Sequence, residues 1–327
     1  MKKRLKIKSL VIYTLITILL TVITFPLFIF YGPFKDIRNM LVEMSMSTGN
    51  YQFIAKMFLS DNEINEIINN KSKMINNNES TQVLAPIEYE TTDSDIERID
   101  ISTNKFDGIA LVIKDPKRVK VGYSENLGVV GETVSYMANR YNAIAAINGG
   151  GYKDVSSSGL SGGTGGEPLG ILISNGEVLS PKNKDDYYKE ESSVFSINSN
   201  GELYVGQATV NDLINMDSQH AISFSPTLVV NGNPYISETT LYGINPRTAI
   251  GQKEDGSIIL LVIDGRQGFK FGATLEEVQE VMLSLGAFNA MCLDGGGSTA
   301  MYYDGEIINN PSNLAGERCV PDIIYVE

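Results

Sequence analysis

Five dipeptides of one kind, Asn175-Gly176, Asn200-Gly201, Asn231-Gly232, Asp255-Gly256 and Asp304-Gly305, sit between short apolar runs of this chain. Asn, Asp and Gly tolerate the positive φ angles of a two-residue hairpin turn, so each pair marks a reversal between antiparallel strands. Repeated reversals argue against a doubly wound parallel sheet. The runs begin at Ile96, and no linker-like break interrupts residues 96–327. The expected fold class is therefore α+β: one mixed, largely antiparallel β-sheet domain with a few packed helices.

Helical periodicity is rare in that region. Residues 132–140 form one candidate. The clearer one runs from Thr274 to Leu285, where Thr274-Leu275-Glu276-Glu277 reads as a capping box and Gly286 as a stop. Its residues Leu275, Val278, Val281, Met282 and Leu285 share one face, as a helix packed on a sheet requires.

The first 95 residues differ. Lys2, Lys3, Arg4, Lys6 and Lys8 form a basic tail (1–8), followed by an uncharged apolar run from Ser9 to Tyr31. That run is long enough to cross about 30 Å of hydrocarbon, and Phe25-Pro26-Leu27-Phe28 offers no small-residue cleavage site. A signal anchor over 9–31 is expected, with the basic tail in the cytoplasm and the body outside the cell membrane. Residues 32–95 read as a juxtamembrane stalk. A capping box at Ser60-Asp61-Asn62-Glu63 opens a short helix there, and Asn76-Asn77-Asn78 and Thr91–Asp95 read as solvated linkers.

Beyond the basic tail the chain holds 21 basic residues against 39 acidic ones. So acidic a body is a poor match for nucleic acid, and an anionic ligand would need arginines gathered locally. The two cysteines, Cys292 and Cys319, make neither a disulfide framework nor a zinc site; they read as small buried residues, with a single pairing where their loops meet as the alternative. A single histidine, His220, cannot supply a multi-histidine metal site and reads as an ordinary polar residue at a strand start. No metal ligands are assigned and no cofactor is required, although surface Asp and Asn loops would suit a structural calcium ion. Acid–base chemistry then falls mainly on carboxylates, with arginines to stabilise charge.

Asp294-Gly295-Gly296-Gly297-Ser298 follows the apolar run Ala290–Leu293. It combines a carboxylate, a hydroxyl and bare backbone N–H groups, a combination suited to cradling an anion. The apolar run Ile258–Ile263 ends in Asp264-Gly265-Arg266. The two Asp-Gly ends lie on either side of one predicted helix, so parallel strands would bring both carboxylates to the same sheet edge. Three more segments look like polar strand-end loops: Asn148-Gly149-Gly150-Gly151-Tyr152, Asn245-Pro246-Arg247-Thr248, and Asn309–Ser312 with Gly316-Glu317-Arg318 shortly after. The glycine-rich stretch Ser156–Gly166 lacks the lysine of a P-loop and reads as a loop over the site or a plain connection.

In this order, Ile147-Asn148-Gly149-Gly150, Pro168-Leu169-Gly170-Ile171, Pro246-Arg247-Thr248-Ala249, Asp264-Gly265-Arg266, Leu293–Ser298 and Glu317-Arg318 resemble the phosphodiester glycosidase family. The resemblance spans roughly residues 109–326 and leaves out the anchor and stalk. In many members of the family an aromatic residue directly follows the first glycines. Here Gly151 intervenes before Tyr152, so pocket details are expected to differ.

The resemblance implies a membrane-anchored, bacterial-type hydrolase of the anomeric C–O bond in a sugar-1-phosphodiester of GlcNAc-1-phosphodiester type. Its partner would be a phosphodiester-linked cell-envelope glycan or exopolysaccharide. A phosphomonoester leaves readily, so the residues need only stabilise an oxocarbenium-like centre and balance the departing charge. Asp294 and Asp264 are the expected carboxylate pair, with Glu317 as the alternative second carboxylate. Arg247 and Arg318 are expected phosphate clamps, with Arg266 a further candidate. Asn148, Gly149, Thr248, Ser298 and the N–H groups of Gly295, Gly296 and Gly297 are expected to contact sugar or phosphate. Two other readings stay open here: a non-catalytic phosphoglycan-binding module, and a metal-assisted phosphodiesterase cutting P–O.

Overall fold

The computed structural model describes residues 2–46, 52–72, 82, 84, 95–153, 164–183, 185, 191–236, 243–268, 270–313 and 316–327. The linkers expected at Asn76–Asn78 and Thr91–Ser94, and most of the glycine-rich stretch from Ser156, lie outside them.

The helices are α1 (Lys2–Tyr31), α2 (Lys35–Met46), α3 (Gln52–Lys56), α4 (Asp61–Ser72), α5 (Val134–Arg140), α6 (Val210–Asn215) and α7 (Leu275–Ser284). The strands are β1 (Ile96–Ser102), β2 (Asp107–Ile113), β3 (Val119–Tyr123), β4 (Ala145–Asn148), β5 (Leu172–Ser174), β6 (Glu177–Ser180), β7 (Ser192–Asn198) and β8 (Leu203–Ala208). They continue as β9 (Ser218–Ser223), β10 (Thr227–Val230), β11 (Asn233–Pro234), β12 (Arg247–Lys253), β13 (Ile258–Ile263), β14 (Ala287–Leu293), β15 (Met301–Tyr303), β16 (Glu306–Ile307) and β17 (Asp322–Val326).

Leu10–Tyr31 of α1 is apolar and long enough to span a bilayer, and its side chains are largely exposed. The end of α1 packs on the three helices that follow it: Phe30, Val42, Ala55, Leu59 and Ile64 form a small cluster of their own. The expected capping box opens α4, with the Ser60 N–H donating to Glu63 Oε2 (2.9 Å) and the Glu63 N–H to Ser60 Oγ (3.3 Å).

Three antiparallel sheets make the body. Their orders are β1-β2-β13-β12-β14-β10-β11, β16-β15-β4-β17-β3 and β6-β5-β9-β7-β8. Every expected reversal joins two paired strands: β5–β6, β7–β8, β10–β11, β12–β13 and β15–β16. At Asn175, Asn231 and Asp304 both turn residues take positive φ. At Asn200-Gly201 and Asp255-Gly256 only the glycine does, because those loops are longer than two residues.

Alternation along the strands explains the layering. One face of the seven-stranded sheet turns Leu111, Ile250, Leu260, Val262, Met291 and Leu293 into a core shared with Ile147, Ile324, Phe195 and Ile222 of the other two sheets. Its opposite face carries Ala249, Ile259, Leu261 and Cys292 under Leu275, Val278 and Met282 of α7. The capping box of α7 forms as expected: the Thr274 side chain accepts from the Glu277 N–H, and the Glu277 side chain accepts from the Thr274 N–H. Helix α5 covers the outer face of the second sheet through Val134, Met137 and Ala138.

This architecture positions the site. β13 and β14 both pair antiparallel to β12, which lies between them, so the two are mutually parallel, as expected. Asp264 and Asp294 therefore leave the sheet at one edge, where β12 begins at Arg247.

Two expectations about single residues are corrected. Cys319 is exposed while Cys292 is buried, and both thiols are free. His220 is buried inside β9, where its Nδ1 accepts from the Val121 and Asn175 N–H groups at 3.3 Å each. Burial drives its pKa down to about 4, so the ring is neutral and structural.

Candidate active site

The glycine turn opens from β14 and closes as a single 3-10 turn, Gly296–Ser298. It is pressed onto Pro246: the Gly296 N–H donates to the Pro246 carbonyl at 2.9 Å, and a Cβ on Gly295 would come within 2.6 Å of the same oxygen. Gly296 has φ +63°, a region that side chains beyond glycine rarely enter. One N–H of the expected anion nest is thus spent on holding the turn.

Asn148 sits beneath this turn and is fully buried. Its Nδ2 donates to the Asp294 carbonyl oxygen (2.6 Å), and its Oδ1 accepts from Thr248 Oγ1 (2.9 Å) and the Ala300 N–H (3.2 Å). Asn148 and Thr248 therefore join the two sheets and set the backbone of Asp294. Their polar atoms point at each other and at the turn, and both residues are completely covered. Gly149 continues the support, its carbonyl accepting from the Asp294 N–H at 3.1 Å.

Asp264 is held from the other side. Asn309 Nδ2 donates to its Oδ1 at 2.9 Å, and the Asn310 N–H lies 3.1 and 3.0 Å from its two oxygens. Burial raises its pKa; the Asn309 and Asn310 hydrogen bonds oppose that rise, and the nearby Asp107 charge adds to it. Asn309 was not among the expected site residues, although it lies in a segment singled out by its sequence. Its Oδ1 also accepts from the Met301 N–H at 2.8 Å, so one buried amide links Asp264 to β15.

In Asp264-Gly265-Arg266 the left-handed residue is the arginine, at φ +61°. Gly265 is there for space, because a Cβ would strike the Phe271 carbonyl. A non-glycine residue in this region is strained by roughly 1–3 kcal/mol, and such strain clusters at functional sites. The unusual backbone aims the Arg266 guanidinium at the turn: Nη2 donates to Asn245 Oδ1 at 2.9 Å and lies 3.5 Å from where a Gly296 Cβ would be.

Arg318 also approaches the turn, at the next glycine. Its Cδ is 3.8 Å from the Cβ position of Gly297, and its guanidinium lies over the Tyr152 ring, 5.1 Å from the centroid. Tyr152 Oη is 3.4 Å from Ser298 Oγ. Ser312 Oγ donates to the Gly296 carbonyl at 3.2 Å, closing the rim.

Two other expected site residues bond to neighbouring elements. Arg247 donates from Nε to the Ala273 carbonyl (3.0 Å) and from Nη2 to the Gly243 carbonyl (2.8 Å). Its place at the start of β12 leaves it beside backbone oxygens that demand donors. Glu317 accepts from the Ser135 N–H at 2.8 Å and from Ser135 Oγ, in the first turn of α5. A carboxylate there complements the helix dipole. Among the described residues no group of three or more His, Cys, Asp or Glu side chains is placed to hold a metal ion.

A buried carboxyl, Asp322, also lies behind the turn and was not anticipated. Its Oδ1 accepts from the Gly150 N–H at 2.7 Å. Burial pushes its pKa up to about 7, and the neighbouring Asp294 charge adds to that rise. Asp322 opens a strand in an otherwise apolar run, Ile323–Val326, and a lone carboxyl before such a run was the available signal.

The chain is similar to several known proteins. It is 30% identical over 200 residues to the SPbeta prophage-derived uncharacterized protein YomE of Bacillus subtilis, covering 60% of this chain and 29% of that one. It is 28% identical over 166 residues to the bovine N-acetylglucosamine-1-phosphodiester alpha-N-acetylglucosaminidase, covering 45% of this chain and 30% of the relative. This chain thus spans under a third of the length of these curated relatives. The solved zebrafish catalytic domain of that enzyme, auto-inhibited by its pro-peptide, superposes with a TM-score of 0.59 at 23% identity, over 76% of this chain and 87% of that one, which shows a shared fold. The phosphodiester glycosidase family model matches residues 141–327, more than half of the chain and all of the glycine-turn site. The chain belongs to the phosphodiester glycosidase family.

Proposed function

We propose that this chain hydrolyses the anomeric C–O bond of a sugar-1-phosphodiester, with Asp294 and Asp264 as its carboxylate pair. The observation that carries this reading is that two parallel strand ends, each an Asp-Gly, open at one sheet edge on either side of β12, with Arg266 and Arg318 beside the glycine turn. In this reading Asp294 acts at the anomeric centre as nucleophile or base. Asp264, whose proton is held to higher pH by burial, is the acid–base or electrostatic partner. Arg266 and Arg318 take the departing phosphate, a role that guanidinium groups fill by paired hydrogen bonds. Ser298, buried like Asn148, supports the turn from within beside Tyr152, and the N–H groups of Gly295 and Gly297 contact phosphate or sugar. Asn148, Gly149 and Thr248 hold Asp294, Arg247 braces the start of β12, and Glu317 anchors α5. Helix α1 supports a single-pass anchor with its basic end in the cytoplasm. The body would then meet phosphodiester-linked glycans of the cell envelope.

The test is turnover of aryl and alkyl sugar-1-phosphodiesters by the full chain in detergent and 18O-water. Label in the released sugar supports C–O cleavage. Label in the phosphate would establish a phosphodiesterase, and absence of product across GlcNAc, glucose and galactose series would leave a binding module.

A further inference from the structure

Asp322 has no place in the reaction just outlined, yet it is 1% exposed and sits at the first position of β17, in register with Tyr123 of β3. Two successive N–H groups at the end of β4 converge on it. The Gly150 N–H donates to its Oδ1 (2.7 Å) and the Gly149 N–H to its main-chain oxygen (3.1 Å). The peptide so gripped presents the Gly149 carbonyl to the Asp294 N–H at 3.1 Å. Contact is close on both sides: a Cβ on Gly149 would strike Asp322 Oδ1, and one on Gly150 would lie 2.6 Å from Ile222 Cγ2. The two glycines are thus fixed between a carboxyl and a core isoleucine of β9.

We propose that Asp322 is a positioning residue for Asp294, acting through the Gly149–Gly150 backbone and touching no substrate. Full burial excludes direct contact with a sugar. A backbone anchored at a carboxyl sets Asp294 from below, while Asn148 sets it from the side by accepting nothing from it and donating to its carbonyl. Small displacements of a reacting group are costly, which gives such an anchor a catalytic effect without chemistry of its own. The groups facing Asp322 are Tyr123 from β3, Ile222 from β9, the β4 glycines, and Asp294 from the glycine turn. The Asp294 carboxylate disfavours a second negative charge beside it. A neutral acceptor is therefore enough for the task, and asparagine should replace aspartate.

This inference rests on the proposed role of Asp294, and its test has a readout that needs no substrate. Full-length wild type, Asp322→Asn, Asp322→Ala and Gly149→Ala would be compared in detergent by amide hydrogen exchange over residues 146–151 and 291–297, and by kcat and KM. Asp322→Ala should speed exchange in both segments by about tenfold or more. It should lower kcat by about 30-fold with KM within about threefold. Asp322→Asn should stay close to wild type in both readouts. Gly149→Ala, which displaces the same carboxyl with Asp322 present, should speed exchange over 291–297 and carries the test if Asp322→Ala does not fold. Unchanged exchange over 291–297 in Gly149→Ala and Asp322→Ala would overturn the proposal. So would an Asp322→Asn variant as impaired as alanine, or a rise in KM with kcat intact. If wild type cleaves no sugar phosphodiester, the reading of the activity fails while the exchange data still decide the positioning.

Discussion

Asn148 Nδ2 donates to the main-chain oxygen of Asp294 at 2.6 Å, joining the end of β4 to the glycine turn after β14. Its amide oxygen accepts from Thr248 and Ala300, so one side chain ties together three strand ends from two sheets. Asn148→Ala should leave several buried groups without partners, at about 1–3 kcal/mol each. The expected loss of unfolding free energy is roughly 3 kcal/mol or more, with activity falling alongside. Denaturant melts of the full chain check this. A variant as stable as wild type would mean that the amide is dispensable.

The two candidates for second carboxylate separate cleanly. Asp264→Asn keeps an oxygen where Asn309 and Asn310 donate, and should still lower kcat by about 100-fold or more if the carboxyl does acid–base work. Asp294→Asn should do at least the same. Glu317→Gln weakens the carboxylate contact at the start of α5, costing about 0.5–1 kcal/mol, and should leave kcat within about threefold. Steady-state rates paired with thermal melts check all three. The reverse ranking, with Glu317→Gln inactive and Asp264→Asn active, would move the second carboxylate to Glu317.

Much of this was legible from residue order. The Asn-Gly and Asp-Gly turns located the hairpins because positive φ is a local demand that few residues meet. The two Asp-Gly strand ends were placed at one sheet edge because parallel strands must return to the same side. What stayed hidden were side-chain directions. Arg247 and Glu317 sit in matching motifs, but their partners are the Ala273 and Gly243 carbonyls and Ser135, which lie far off in sequence. Asp322 was invisible for the same reason: its partner, the Gly150 N–H, is 172 residues away.

Arg266 and Arg318 flank the turn without facing the same groups, so they should differ in rescue. Alanine at either position should reduce kcat/KM by about 10- to 100-fold, the range for hydrogen bonds to charged groups. Lysine should recover part of the loss at 318, and less at 266, where the planar guanidinium also reaches Asn245. Inorganic phosphate should inhibit wild type competitively and either alanine variant more weakly. Equal phosphate inhibition of wild type and both variants would remove these arginines from the phosphate contact.

Stability should carry the signature of the buried Asp322. Its pKa is raised from 3.8 to about 7, so between those values the folded protein holds a proton that the unfolded chain has released. Stability contributed by this group is therefore full below about pH 4 and falls as pH rises, by at most about 1.4 kcal/mol per unit. His220 works the other way over a similar window. Its pKa is depressed from 6.5 to about 4, so its contribution falls as pH drops between those values. The two slopes oppose each other and flatten the wild-type curve. The difference between Asp322→Asn and wild type isolates the carboxyl: the gain in Tm of the variant should grow from pH 4 to pH 7 and then level off. Melts at fixed ionic strength across pH 4–8 measure it. A difference that stays constant over that range would mean that Asp322 ionises like an exposed carboxylate.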